Sequence, residues 1–245
     1  MTALPSPSIS IVLLGQFQPD QFMPNKLAEA KIVTTKVAES ATFVALLPGQ
    51  VVHSKFGWGE LQVIPQRFQI TTTTAPYVRI CDFALKALRD LAPTSAVTAF
   101  GINNETHFDL GSVDAANKLG TRLAPPTAWG AWGAEIASNM QGENKGTPLQ
   151  GGLLYIQMRQ PFIESEISGW LDVSVGASNV IPNRRGALFR SNHHHQMPNS
   201  GTDSLPASDE LTEREITNLL LDRLADTFDS SIVQAESIFK GMIAS

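Results

Sequence analysis

Cysteine is almost missing from this chain of 245 residues: Cys81 is the single one. One thiol cannot build an internal disulfide framework or a Cys-rich zinc site. Basic charge is also short. Lys and Arg number 18 against 23 Asp and Glu, a formal net charge of −5. That balance argues against general nucleic-acid binding, which normally needs a basic face. No apolar run is long enough to span a bilayer. The first residues, MTALPSPSISIVLLG, lack a basic region ahead of their short apolar run. No signal peptide is expected, and a cytoplasmic location follows. Phosphate-cradling glycine patterns (GxGxxG, GxxxxGKS/T) and the GxSxG nucleophile elbow are absent from the sequence, which leaves nucleotide-loop and serine-hydrolase readings unsupported.

A hydrophobic fraction of 42% is present, enough for a substantial core in one large domain or two small ones. The chain is organised around Leu61–Phe108, which reads as strand, helix, strand. Tyr77, Ile80, Cys81, Ala84, Leu85, Leu88 and Leu91 recur at the three/four spacing of one buried helical face. Pro93 stops that helix. Cys81 lies on the apolar face and is expected to be a small buried core residue. Ahead of the helix, Leu61–Thr74 is rich in β-branched residues, but its apolar phase changes at Pro65. A bulge or break is expected at Ile64–Pro65, because a strand cannot change its inner face without one. After the helix, Ala96–Ile102 has the apolar character of a strand covered on both faces. The polar run Asn103–His107 is expected where that strand leaves the sheet.

Elsewhere the first part reads as a meander. Strands are expected at Ile9–Leu14, Ala41–Leu47 and Val51–Phe56, with turns at Pro48-Gly49-Gln50 and Gly57-Trp58-Gly59. Met1–Pro7 reads as a loose lead-in. Ser112 is placed to cap a helix over Val113–Leu123. Ala124–Gly152, with many glycines, Pro125-Pro126, Trp129 and Trp132, reads as a long loop or connector, with a short helix at Ala134–Met140. Strands at Gly152–Phe162, Trp170–Ala177 and Gly186–Ser191 follow, then a polar tract, Gln196–Pro206. A long C-terminal helix starts at Ser208 or Thr212, where Thr212 and Glu215 fit a capping box, and Asp229-Ser230-Ser231 is a point where it could divide. These elements predict an α+β fold: mostly antiparallel sheet with helices packed on one face, the second half repeating the outline of the first. The segments are 1–123, a Gly/Pro/Trp-rich connector at 124–152, and 153–245.

Two sets of residues are candidates for function. Trp129 and Trp132, with Leu220, Leu224, Phe228 and Ile232 of the long helix, could anchor a protein partner or a second copy of the chain. Asn192-His193-His194-His195 suggests metal ligation. Adjacent side chains on a strand point to opposite faces, so at most His193 and His195 could share one site. A zinc site needs three or four converging ligands. The others would have to come from His53, His107 or distant carboxylates. Glu105 and His107 could serve as base and orienter, but no nucleophile is evident beside them. Arg159, Arg184, Arg185 and Arg190 form a small basic group.

The short strand Ile9–Leu14, the Arg67-Phe68 strand, the helix from Tyr77, the strand ending Gly101-Ile102-Asn103, and Asn192-His193 together resemble an uncharacterised, sporadically distributed bacterial protein family of about 250 residues. The resemblance implies a bacterial α+β protein and assigns no catalytic residues. The expected function is a non-enzymatic interaction or assembly module of a bacterial cytoplasmic system, with no cofactor and no membrane, acting through the C-terminal helix and the Trp-bearing loop. The alternative is a metal-dependent hydrolase using His193–His195 with Glu105 and His107.

Overall fold

A computed structural model describes residues 6–164, 167–197 and 211–244. Nine antiparallel strands form one sheet: β1 (Ser8–Gln16), β2 (Thr42–Leu47), β3 (Val51–Phe56), β4 (Gly59–Ile64), β5 (Arg67–Thr72), β6 (Ala96–Asp109), β7 (Tyr155–Glu164), β8 (Ile167–Ala177) and β9 (Gly186–Gln196). Their order is β2-β3-β4-β5-β1-β6-β9-β8-β7. The helices are α1 (Pro24–Glu29), α2 (Thr35–Glu39), α3 (Val78–Lys86), α4 (Val113–Leu123), α5 (Gly130–Gln141) and α6 (Glu213–Ala244). The fold is α+β, as the periodicities predict.

The sheet has two unlike faces because its strands alternate. Ile9, Ile11 and Leu13 of β1 point into the core with Leu61, Phe68, Ile70, Phe100 and Ile102. Helices α3 and α6 cover this face. The other face is polar. One row of paired positions crosses all nine strands as Thr42, Lys55, Glu60, Thr71, Ser10, Asn103, Asn192, Asp172 and Arg159. No apolar side chain interrupts it, so no second layer of the chain is needed to cover it.

Helix α6 packs across β6, β9 and α3. Leu220, Leu221, Leu224, Phe228, Ile232, Ala235 and Phe239 are all buried, each contributing about 1–3 kcal/mol by leaving water. Its start is capped as the Thr212/Glu215 spacing predicts: Thr212 N–H donates to Glu215 Oε2 (2.8 Å), and Glu215 N–H donates to Thr212 Oγ1 (3.3 Å). Thr217 Oγ1 accepts from Val97 N–H at 2.9 Å and donates to Glu213 O at 2.8 Å. This pins the helix to the start of β6.

Several expectations change. The break expected at Ile64–Pro65 is a full hairpin turn, which divides the expected strand Leu61–Thr74 into β4 and β5. The helix after Tyr77 closes with a wider turn over Ala87–Leu91. The polar run Asn103–His107 does not leave the sheet. It continues β6 to Asp109, paired with β9 as far as Gly186. Its Asn103, Glu105 and His107 lie on the open face, where polar residues are the rule. The histidine run likewise lies within β9 rather than past its end. Asp229-Ser230-Ser231 leaves α6 unbroken. Much of the expected connector at 124–152 is helix α5. Ser112 caps α4 as expected, accepting from Ala115 N–H at 3.1 Å. Ser208, most of the lead-in Met1–Pro7 and most of the tract Gln196–Pro206 lie outside the described residues. Strands from both expected halves belong to one continuous sheet, joined by the pairing of β6 with β9.

Candidate functional site

The apolar positions of α6 are not a site. Leu220, Leu224, Phe228 and Ile232 are packed against the chain's own sheet. The expectation that they anchor a partner is therefore corrected. A sheet this wide offers enough apolar surface to absorb the whole buried stripe of a 32-residue helix.

The histidines divide as strand alternation requires. His193 and His195 lie on the helix-covered face, and both are buried. Glu105 and His107 lie on the open face, because Glu105 pairs with Arg190 and His107 with Leu188 in the β6–β9 register. His193 and His195 thus lie across the sheet from Glu105 and His107, so those four side chains do not form one site; His194 shares the open face but pairs with Gly101, four residues along β6 from Glu105. His53 is on β3 and bonds Glu60 at 2.5 Å. Among the described residues, no three His, Cys, Asp or Glu side chains converge to hold a metal ion.

His193 and His195 line a cavity of about 390 Å³ between β7–β9 and α6, with Gln160, Phe162, Thr227 and Gln234. His193 Nε2 meets Gln234 Oε1 at 3.1 Å. The His195 ring is stacked on Phe100 (centroids 4.5 Å apart, planes at 11°) and flanked by Phe162 at 5.0 Å. Its Nδ1 is buried with no hydrogen-bond partner among the described residues. Burial holds both imidazoles below their ordinary range, and His195, further disfavoured by His193 and His194, is pushed down to about 4. His195 is neutral at pH 7, and among the described residues no carboxylate bonds to either ring.

Glu105, His107 and Ser178 imitate an acid–imidazole–hydroxyl relay that the sequence reading missed, because Ser178 is 71 residues away along the chain. His107 Nδ1 lies 2.9 Å from Ser178 Oγ, and His107 Nε2 lies 3.6 Å from Glu105 Oε1. The hydroxyl is engaged otherwise. Ser178 Oγ accepts from Val180 N–H (3.2 Å) and Ile181 N–H (3.0 Å), so its lone pairs cap a turn instead of facing a substrate. Glu105 is held by Arg190 at 2.6 Å. This group locks the β8–β9 connection. Cys81 is buried and its thiol is pushed up to about 12, chiefly by burial, so it is no nucleophile at neutral pH.

Trp129 and Trp132 remain in the open, at 58% and 60% exposure. A short 3-10 turn, Pro126–Trp129, feeds directly into α5. Gly133 lets that turn close. A Cβ there would fall 1.9 Å from Pro126 O. The turn brings the two indoles together edge to face, 5.7 Å apart. Ile136 and Met140 on the next turns of α5, with Leu153, Leu154 and Tyr155, complete an apolar groove of about 240 Å³. Tyr155 is also the first residue of β7, the outermost strand at this edge of the sheet. The groove therefore runs onto a strand whose outer edge pairs with no other strand among the described residues. No family model and no curated protein matches this chain. No helix among the described residues is long and apolar enough to cross a membrane.

Proposed function

We propose that the protein is a non-enzymatic interaction module that takes an extended apolar segment of a partner protein against Trp129, Trp132 and the free edge of β7. The observation that carries this reading is the exposed tryptophan pair, which walls a groove continuous with an open edge strand. Exposed at 58% and 60%, the pair leaves roughly 300 Å² of indole surface in water. Covering it stabilises a complex by about 7 kcal/mol before association costs. An added strand would satisfy β7 backbone groups while one apolar side chain fills the groove, the strand-addition mode of peptide recognition. Leu154 and Tyr155, at 68% and 55% exposure, extend the contact. We place the module in the bacterial cytoplasm. The family resemblance and the single buried thiol support that placement.

Selection from a random-peptide library against the whole protein tests the reading. Selected peptides should carry an aromatic or long aliphatic residue and lose at least a hundredfold in affinity for Trp132→Ala. Peptides that bind that variant unchanged would refute it.

A second reading concerns the opposite edge. Strand β2 carries no charge and leaves Phe43, Val44, Leu46 and Leu47 between 46% and 52% exposed. An uncharged apolar edge of this kind pairs readily with another strand. It favours association of two copies through β2, which light scattering over a range of concentrations would detect.

A further inference from the structure

The open face of the sheet is recessed rather than flat. One cavity of about 480 Å³, the volume of a sphere roughly 10 Å across, is lined by residues of β5 and of β7 alike. Those strands are five steps apart in the sheet order, which in a flat sheet is about 24 Å. For both to line one cavity, the sheet must curl towards its polar face and make a trough.

The chemistry of the trough is specific. Arg190 is paired with Glu105 at 2.6 Å, and Asp172 takes both Arg159 nitrogens at 2.7 Å. These two pairs are internally neutral. Arg67, on the opposite wall, has no acidic partner among the described residues. Asn103 and Asn192 face each other across β6 and β9 at the floor. Asn192 Oδ1 is buried with no hydrogen-bond donor among the described residues. It lies over Gly101, where a Cβ would fall 2.7 Å from it, so the strand beneath gives up a side chain to seat the amide. The trough thus offers one uncompensated guanidinium, one acceptor in need of a donor, and amides and hydroxyls between them. Apolar lining is limited to Val12 and Tyr155.

We propose that this trough binds a phosphorylated polyol, with the phosphate on Arg67 and sugar hydroxyls on Asn192 and Asn103. A guanidinium forks onto phosphate oxygens in charge-assisted bonds. A hydroxyl supplies the donor that Asn192 Oδ1 lacks. The volume is within the range of small-ligand sites. The inference is independent of the tryptophan groove, which shares only Tyr155 with the trough.

Calorimetric titration of the whole protein with ribose 5-phosphate tests it, with ribose and inorganic phosphate as controls and AMP as a second phosphorylated probe. Ribose 5-phosphate should bind at least tenfold more tightly than either control. Arg67→Ala and Asn192→Ala should each weaken it tenfold or more with unchanged circular dichroism, Arg67→Lys should restore part of the loss, and Trp132→Ala should leave it unchanged. AMP binding tenfold tighter than ribose 5-phosphate would identify a nucleotide as the source of that chemistry; equal binding would identify a sugar phosphate. Absence of binding by both phosphorylated probes, equal binding of inorganic phosphate, or full binding by Arg67→Ala would overturn the proposal.

Discussion

Acid should loosen the seat of α6, and His195 is where the effect is largest. Its ring is sandwiched by Phe100 and Phe162, and its Nδ1 is buried and unpartnered. Burial first, then His193 and His194, push it from the ordinary 6.5 down to about 4. In the unfolded chain the ring regains its ordinary value and binds the proton that the folded state refuses. Stability is therefore complete above the unfolded value and declines as pH falls from 6.5 towards 4. Linkage across that gap gives a loss of about 2 kcal/mol between pH 7.5 and pH 5, and about 3 kcal/mol once pH is below both values. His193, depressed by burial on the same face, adds to the loss in the same direction. Replacing His195 by Phe keeps a planar ring in the aromatic stack and removes the titration. Urea melts at the two pH values should show the variant losing about 2 kcal/mol less than the parent on acidification. At neutral pH it should be at least as stable, because a buried unpartnered nitrogen costs about 1–3 kcal/mol. An acid loss equal to that of the parent would refute the reasoning.

Other substitutions follow from the same contacts. Phe228→Ala, at a fully buried core position of α6, should cost about 3–5 kcal/mol in a urea melt. Thr217→Val keeps the shape but leaves Val97 N–H without its acceptor, and should cost about 1–3 kcal/mol. Trp132→Ala, at an exposed ring, should change stability by less than about 1 kcal/mol, so that its effect on partner binding can be read without a folding defect. Val44→Lys places a charge on the β2 edge and should lower concentration-dependent light scattering without shifting the melt by more than about 1 kcal/mol.

What could be read in the sequence was what local periodicity encodes. The stripes of α3 and α6, the Ser112 and Thr212 caps and the strands on either side of Pro48-Gly49 all appear where spacing and turn chemistry put them. Alternation also separated His194 from His193 and His195 correctly. Two things were hidden. The first was that one face of the sheet is open. Asn103–His107 looked like an exit from the interior, because a polar residue on an uncovered face and one in a loop have the same composition. The second was the long-range register. Only the pairing of β6 with β9 shows that Glu105/His107 and His193/His195 are on opposite sides. The turn that brings Ser178 to His107, and the curl that makes a trough from β5 to β7, likewise join residues that no short window contains. The tryptophan groove was half visible. Trp129 and Trp132 stood out, and the helix at Ala134–Met140 is the body of α5, but the turn Pro126–Trp129 and the helix start at Gly130, which bring the indoles to the β7 edge, are hidden in a glycine- and proline-rich stretch.

The most direct test of the interaction reading is amide hydrogen exchange of the whole protein with and without a library-selected peptide. Strand addition predicts slowed exchange along β7 and over Pro126–Gln141, with β2 and α6 unchanged. Protection confined to β2 or α6, with β7 exchanging as fast as in the free protein, would contradict it.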